Sequence, residues 1–534
     1  MTIDSLAQRT VSRRTVVQAG AALGSVPLAG ALPGALPGGS AAAQTGTPAA
    51  TPIAPARESL TVVLAAEPPV LDPIRTYTID GWSIVHSVYD TLVVRAPDGS
   101  LQPLLAESYS QPDDVTIEFI LRTGVTFHNG EVFDSRSVVA TVAHMQDPET
   151  ASQVAADFSA ITSVETVDAR AVRFHLSQPA PALLGQVAVY LGMLPPDYVA
   201  NPDNEYGANA PVGTGPYRFI NWDRGQQVTL EANPDYRLSA KGSPLARNVT
   251  FRFSGEATTR VSDLLAGSAD IVRNVPEDQV ASVDGSGVAT TVASPVAGIT
   301  FVRLPNSVQP WANNALRRAA NYAVDVDGII QSLLGGRGQR LATLLAPESL
   351  GYDPALAPYA YDPDMSRKLL ADAELTSGPA AQLQITAGAN QAVAEAIAAQ
   401  LGEVGIRTTV DVVDEATFNE GWQDEQTNDV PKRTYLRLVT WRPVFDPQSL
   451  FNLMFTTTGF LSRFSDTDLD AMIASAGTDN DPTSRAERFR EIGQVMHDTP
   501  PAIFLWNVTA LYGVSTGLTG WQPRPDEYIL PLTF

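Results

Sequence analysis

Residues 210–236 read APVGTGPYRFINWDRGQQVTLEANPDY, a glycine-proline turn feeding a strand pair that ends on a downstream Asn-Pro-x-Tyr. Gly213 and Gly215 permit a positive φ or a close backbone approach, and Pro216 fixes φ and removes a donor. Tyr217, Phe219 and Trp222 supply large apolar groups. Val228 and Leu230 then alternate as in a strand returning from the Arg224-Gly225 turn. Taken alone the stretch is compatible with an ordinary hairpin in any fold, so its meaning depends on the rest of the chain.

A chain of 534 residues is too long for one core and implies two to four domains. With 44% hydrophobic and 17% charged residues it reads as globular. The net charge of −23 excludes a nucleic-acid partner, whose phosphates need a basic surface. Lysine occurs only at 241, 368 and 432, so the work of cations falls to arginine, whose planar fork suits carboxylates and stays charged when partly buried. Cysteine is absent; the fold rests on packing, and a lipidated N-terminal cysteine is excluded.

The N-terminus reads as an export signal. Ser12-Arg13-Arg14-Thr15-Val16-Val17 looks like a twin-arginine pattern, with Val16 where that pattern prefers Phe, and an Ala/Gly-rich apolar run leads to a small-residue site at Ala41-Ala42-Ala43. An uncleaved anchor is the competing reading, since the run approaches the ~20 residues of a spanning helix. Pro27 and Pro33 with several glycines make a poor permanent helix. Residues 44–57, rich in Pro, Ala and Thr, form a tether.

Further along, Leu101-Gln102-Pro103-Leu104-Leu105-Ala106-Glu107-Ser108 follows an Asp98-Gly99 turn. Residues 121–130 read Leu-Arg-x-Gly-Val-x-Phe-His-x-Gly, and residues 317–325 read Arg-Arg-Ala-x-x-Tyr-Ala-x-Asp. Together with the opening stretch, these runs resemble the extracytoplasmic solute-binding proteins of the peptide, nickel and opine class (family 5), which serve ABC importers. The resemblance runs from about Thr61 to the end. It implies an α/β, periplasmic-binding-protein-like class II fold: two hinged α/β lobes plus an extra small domain. The expected organisation is an export signal at 1–43, a linker at 44–57, lobe I at 58–80, 202–299 and 505–534, the extra domain at 81–201, and lobe II at 300–504.

Periodicity supports the same layout. Residues 115–122 and 125–133 are read as a hairpin, 161–167 and 172–176 as another, and 258–266 as a helix before a strand at 270–272. Residues 382–386, 391–403 and 406–413 form a strand, helix and strand whose crevice opens at the strands' C-terminal ends. The turn Ala387-Gly388-Ala389-Asn390 lacks G-x-G-x-x-G, which disfavours a dinucleotide site. A strand at 502–506 is expected to run back into the first lobe.

No H-E-x-x-H, G-x-S-x-G or G-x-x-x-x-G-K-[ST] is present, so protease, α/β-hydrolase and ATPase readings fail. His128 reads as a turn histidine, since no other histidine lies at i, i+4. Acid pairs Asp113/Asp114 and Asp414/Glu415 are placed on loops, and an exported carboxylate-dependent hydrolase is the alternative from another class. The resemblance instead places ligand groups on the 74–79 loop, with Tyr77 and Thr78, and at the end of a second-lobe strand, TYLRLVTWRPVFDP at 434–447, with Arg437, Trp441, Arg442 and Phe445. Alternation puts Trp441 on the face opposite Leu436 and Leu438; burial in ordinary core is its competing reading. Peptide binders of the class place an Asp three residues after that Trp, where it meets the α-ammonium group. Here Val444 occupies that position and the nearest acid is Asp446.

The expectation is therefore an exported, monomeric binding protein without cofactor or metal, periplasmic or at the cell surface. It takes a peptide or peptide-like solute and hands it to separately encoded ABC permease and ATPase subunits. Its contact with the membrane is only through that permease or an uncleaved signal. Opines, sugar conjugates or metal chelates are the alternative ligands, their anionic groups met by Arg442 or Arg437.

Overall fold

A computed structural model describes residue 55 and residues 57–533, except 153, 202–209, 376–377, 387–390, 415–416, 419–420, 422–434 and 443–444. The expected signal, nearly all of the tether, Glu415 and Val444 lie outside the described residues.

One eleven-stranded sheet runs through the molecule. Its lobe I side orders Tyr217–Asp223, Gln227–Ala232, Ala246–Phe253, Arg57–Leu64 and Ile271–Arg273, and its lobe II side ends on Tyr435–Trp441, Ala380–Thr386 and Arg407–Val413. Between them lie two long antiparallel strands, Ala289–Arg303 and Ala502–Ser515, which belong to both sides, and the short eleventh strand Gln339–Arg340 pairs with the second of them. Residues 512–514 pair with Ile271–Arg273 in lobe I, while residues 299–303 pair with Tyr435–Trp441 in lobe II. Their mutual register breaks between Pro295 and Ile299. There Asn507 donates to the carbonyls of Val296 and Gly298, at 2.8 and 3.0 Å, in place of regular ladder bonds.

Lobe II follows its patterning. Ala380–Thr386 and Arg407–Val413 pair in parallel, joined by Gln391–Glu403. The helix buries Val393, Ile397 and Leu401 with Leu383, Ile385, Leu316 and Ile503 in one apolar cluster. Asn313 caps the helix Asn314–Ala323, and Asp325 caps the next. In lobe I, Val261 and Leu264 of the helix Ala257–Leu265 pack on Val63 and Val272.

The extra domain carries a four-stranded antiparallel sheet ordered Ala106–Asp113, Thr116–Leu121, Ala171–Leu176 and Ile161–Asp168. The hairpin expected at 115–122 and 125–133 is not formed. Thr116–Leu121 pairs with Ala106–Asp113 on one edge and Ala171–Leu176 on the other, and residues 125–133 make only the isolated bridge Thr126↔Val132. Seven of the eight residues 106–113 keep some exposure, so that edge strand carries almost no apolar alternation to betray it.

The opening stretch does more than turn. A Cβ on Gly213 or Gly215 would lie 2.1 or 2.5 Å from the Val88 carbonyl oxygen, so only glycine lets this loop lie on the end of the helix Ile79–Val88. The Gly215 N–H donates to that same oxygen at 2.9 Å. Asp90, two residues on, is fully buried and accepts from Thr214 Oγ1 (3.0 Å), Tyr236 OH (3.3 Å) and Lys241 Nζ (2.8 Å). Lys241 also donates to the Tyr89 carbonyl. The Gly-Thr-Gly-Pro-Tyr turn and the Asn-Pro-x-Tyr end thus converge on one carboxylate and fasten the loop and strand pair to the chain that enters the extra domain. His128 sits at the same junction. Its Nε2 lies 3.0 Å from the Gly215 carbonyl oxygen, and burial pushes its pKa down to about 4, a neutral turn residue.

Candidate functional site

Where the lobes meet, lobe I and the extra domain present a row of buried aromatic rings. Tyr77 follows the first strand, and its ring lies 6.2 Å from that of Tyr190 in a stacked arrangement. Trp82 stands 5.8 Å from Tyr190 and 5.6 Å from Tyr528. Beyond Tyr528 lies Arg95, 3% exposed, at the end of the short strand Val93–Arg95. Opposite them, lobe II contributes the segment after Tyr435–Trp441. Phe445 carries its ring beneath the Arg95 guanidinium, 4.9 Å from centroid to Cζ, a cation–π contact between the two bodies.

Polar bonds cross the same seam. Arg442, one residue past the lobe II strand, donates to Glu527 at 2.9 Å. Glu527, 2% exposed in its side chain, also accepts from Arg273 at 3.1 Å, and Arg273 reaches Asp80 at 2.7 Å. Burial works against the Arg273 charge, but Glu527 and Asp80 more than offset it and hold the pKa above its usual value. Ser449 of lobe II donates to Asp157 of the extra domain at 3.4 Å, and Asn480 donates to the Asp114 carbonyl at 3.2 Å. Burial pushes the Asp157 carboxyl up to about 6, while the Ser449 hydroxyl draws it down. Asp157 also lies within electrostatic reach of Tyr77.

Arg442 and Phe445 are therefore brought across the seam, while Tyr77 stays in the ring row of its own side, against Trp82 and Tyr190. Thr78 is exposed there and spends its hydroxyl capping the following helix, accepting from Gly81 N at 3.0 Å. Trp441 is 1% exposed and shares an apolar cluster with Ile299, Phe301 and Phe451, whereas Leu436 joins the cluster on the other face of the sheet. Arg437, fully buried, donates to the Phe418 carbonyl at 3.0 Å and lies over the Phe418 ring. It faces Phe418 and Gly421 of its own lobe. Asp446 is held by both terminal nitrogens of Arg485, at 2.6 and 2.8 Å, and accepts from the Gln448 N–H. That carboxylate is committed to structure and not offered to a ligand ammonium.

Arg95, Asp157, Tyr190, Glu527 and Tyr528 escaped the reading of sequence. Arg95 closes an apolar run before an Asp98-Gly99 turn and looks like any strand end, while Glu527 meets Arg273 across 254 positions and Tyr528 meets the Trp82 ring from the far end of the chain. Of the acids weighed for hydrolysis, Asp113 accepts from Val115 N and Asp414 from Thr417 N, each at 2.9 Å within a turn. Among the described residues no group of three or more His, Cys, Asp or Glu could hold a metal ion, and no described helix is long and apolar enough to cross a membrane. The seam offers rings, hydroxyls and a guanidinium, which suits gripping a small polar molecule.

The sequence profile of the bacterial extracellular solute-binding proteins, family 5 (middle), matches residues 100–462. The glutathione-binding protein GsiB of Salmonella paratyphi A is 26% identical over 484 residues, which is 88% of this chain and 93% of that protein. Among solved structures, AgaA of A. tumefaciens R10 in complex with agropinic acid superposes with a TM-score of 0.73 at 25% identity, covering 88% of this chain and 96% of AgaA. A dipeptide-binding protein of Pseudoalteromonas sp. SM9913 in complex with Met-Leu gives 0.77 at 20%, covering 89% and 99%.

Proposed function

We infer the function from one premise: the chain belongs to the bacterial extracellular solute-binding proteins of family 5. It is the substrate-binding component of an ABC import system, which takes a peptide or peptide-like solute between its lobes and delivers it to a separately encoded permease. The single observation that carries this reading is the seam itself, where Phe445 and Arg442 of one lobe meet Arg95 and Glu527 of the other. Such contacts form only when two bodies come together.

The break in strand register between Pro295 and Ile299, beside Asn507, supplies the pivot. Rotation there opens the seam and admits solute, and a solute favours the closed form only by its greater affinity for it. The family is extracellular in the bacterial sense, and the twin-arginine-like run at 12–17 fits export, so the protein works outside the cytoplasm, in the periplasm or at the cell surface. Val444 stands where a peptide's α-ammonium would find an acid, and Asp446 is engaged by Arg485. The solute is accordingly held by rings and by its other polar groups.

A thermal-shift panel of glutathione, Met-Leu and agropinic acid tests the assignment. One of them should raise the melting temperature by several degrees, since a ligand at about 100 times its Kd contributes about 2.7 kcal/mol. A protein that none of them stabilises, and that instead turns over one of them steadily, would contradict it.

A further inference from the structure

Arg95 is buried, yet much of its hydrogen-bonding capacity is unspent. Its Nη1 donates to the Gly99 carbonyl at 2.8 Å, whereas Nε and Nη2 have no hydrogen-bond partner among the described residues. Those two nitrogens form the side-on edge of the guanidinium, the fork that accepts both oxygens of one carboxylate. A buried donor left unmet is costly and calls for an explanation. The neighbouring acids do not supply one. Asp526 is engaged by Nε and Nη2 of Arg524, and Asp446 by Arg485. Burial outweighs the pull of these acids and lowers the Arg95 pKa to about 9.

The Tyr528 hydroxyl, also buried and without a hydrogen-bond partner among the described residues, lies within electrostatic reach of the same guanidinium. Phe445 covers Arg95 from the opposite lobe. A solute seated here would thus touch both bodies.

We propose that the Nε/Nη2 edge of Arg95, with the Tyr528 hydroxyl, receives a carboxylate of the solute between the lobes, and that this anion is what the protein requires of its ligands. The proposal rests on the solute-binding reading and adds to it the chemical class of the ligand. It transfers the anion-binding role from Arg442, which is paired with Glu527, and from Arg437, which faces its own lobe. Closure would then bring an aromatic ring onto an already neutralised guanidinium, so an anionic solute favours the closed form over an uncharged analogue.

The test compares wild type with Arg95→Met in two measurements. In the first, melting is followed without solute, in millimolar acetate against chloride at matched ionic strength. Arg95→Met should melt at or above wild type, because it removes unmet donors, and acetate should stabilise wild type alone. In the second, glutathione, Met-Leu and agropinic acid are titrated beside their amide or ester forms. Wild type should bind the capped form of its preferred solute on the order of 100-fold more weakly, and Arg95→Met should bind free and capped forms alike.

A fall of several degrees in the solute-free melting of Arg95→Met would make the guanidinium a structural group and overturn the proposal. So would equal binding of free and capped solutes by wild type, or discrimination surviving in Arg95→Met. If none of the three solutes binds, the transport reading loses its support, and the acetate comparison decides on Arg95 by itself: stabilisation specific to wild type upholds the carboxylate site, and its absence removes it.

Discussion

Lys241→Met is expected to lower the unfolding free energy by about 3–5 kcal/mol, the usual cost of removing one partner from a buried ion pair. The Lys241 and Asp90 side chains are 2% and 0% exposed, so water cannot replace the lost ammonium. Burial lowers the Lys241 pKa, and Asp90 works against that shift. With methionine at 241, Asp90 keeps the Thr214 and Tyr236 hydroxyls but loses its counter-charge. Denaturant melts should show the full loss in the midpoint. The double variant Asp90→Asn with Lys241→Met should recover a large part of it, since no buried charge then remains uncompensated. A single variant that melts within about 0.5 kcal/mol of wild type, the range of ordinary surface substitutions, would show that the Asp90 node does not hold the opening turn in place.

The second large effect is expected at Arg273. Arg273→Met leaves Asp80 and Glu527 buried, at 5% and 2% side-chain exposure, with only Arg442 to balance Glu527. A loss of about 3–5 kcal/mol follows from the same reasoning. Arg442→Met removes a partner that is 25% exposed and lies on the other lobe. It should cost about 1 kcal/mol or less, the range of solvent-accessible pairs, because the lobes can part and let water reach Glu527. The difference between the two variants separates a strut within lobe I from a latch between lobes. Equal losses in both would mean that the seam is permanent packing and does not open.

The parts of the fold legible in sequence are those where local pattern and tertiary environment agree. The 380–413 strand, helix and strand could be read from periodicity, since each element buries one face in a single cluster. The helix starts at Asp134, Asn313 and Asp325 carry residue types that favour the N-cap, their side chains accepting from first-turn N–H groups. The edge strand Ala106–Asp113 was not legible, because an edge facing solvent on most of its length needs no apolar alternation. The Gly-Thr-Gly-Pro-Tyr run was recognisable as a motif, but its purpose was not. The reason for its glycines is the Val88 carbonyl, and the reason for its threonine is Asp90, both more than 120 positions away.

The candidate site was legible in outline only. Resemblance led to the 74–79 loop and to the end of the 435–441 strand; Arg442 and Phe445 reach Glu527 and Arg95 of the opposing body, whereas Tyr77 packs on Trp82 and Tyr190 of its own side. Arg437 and Arg442 looked alike as neighbours of Trp441, yet strand alternation and the end of the ladder send one toward Phe418 and the other across to Glu527. Arg95 drew no notice because unmet donors are a property of three-dimensional surroundings, and no spacing of residues encodes them. Its carbonyl accepts from Arg524, 429 positions later.

Small-angle scattering of the mature protein, with and without the solute that most raises its melting temperature, tests the central claim most directly. If two bodies pivot about the 295–299 and 507 region and trap a solute, the radius of gyration falls on saturation, and Arg442→Met shifts the solute-free protein toward the larger value. A radius unchanged by a saturating, stabilising solute would contradict hinge closure.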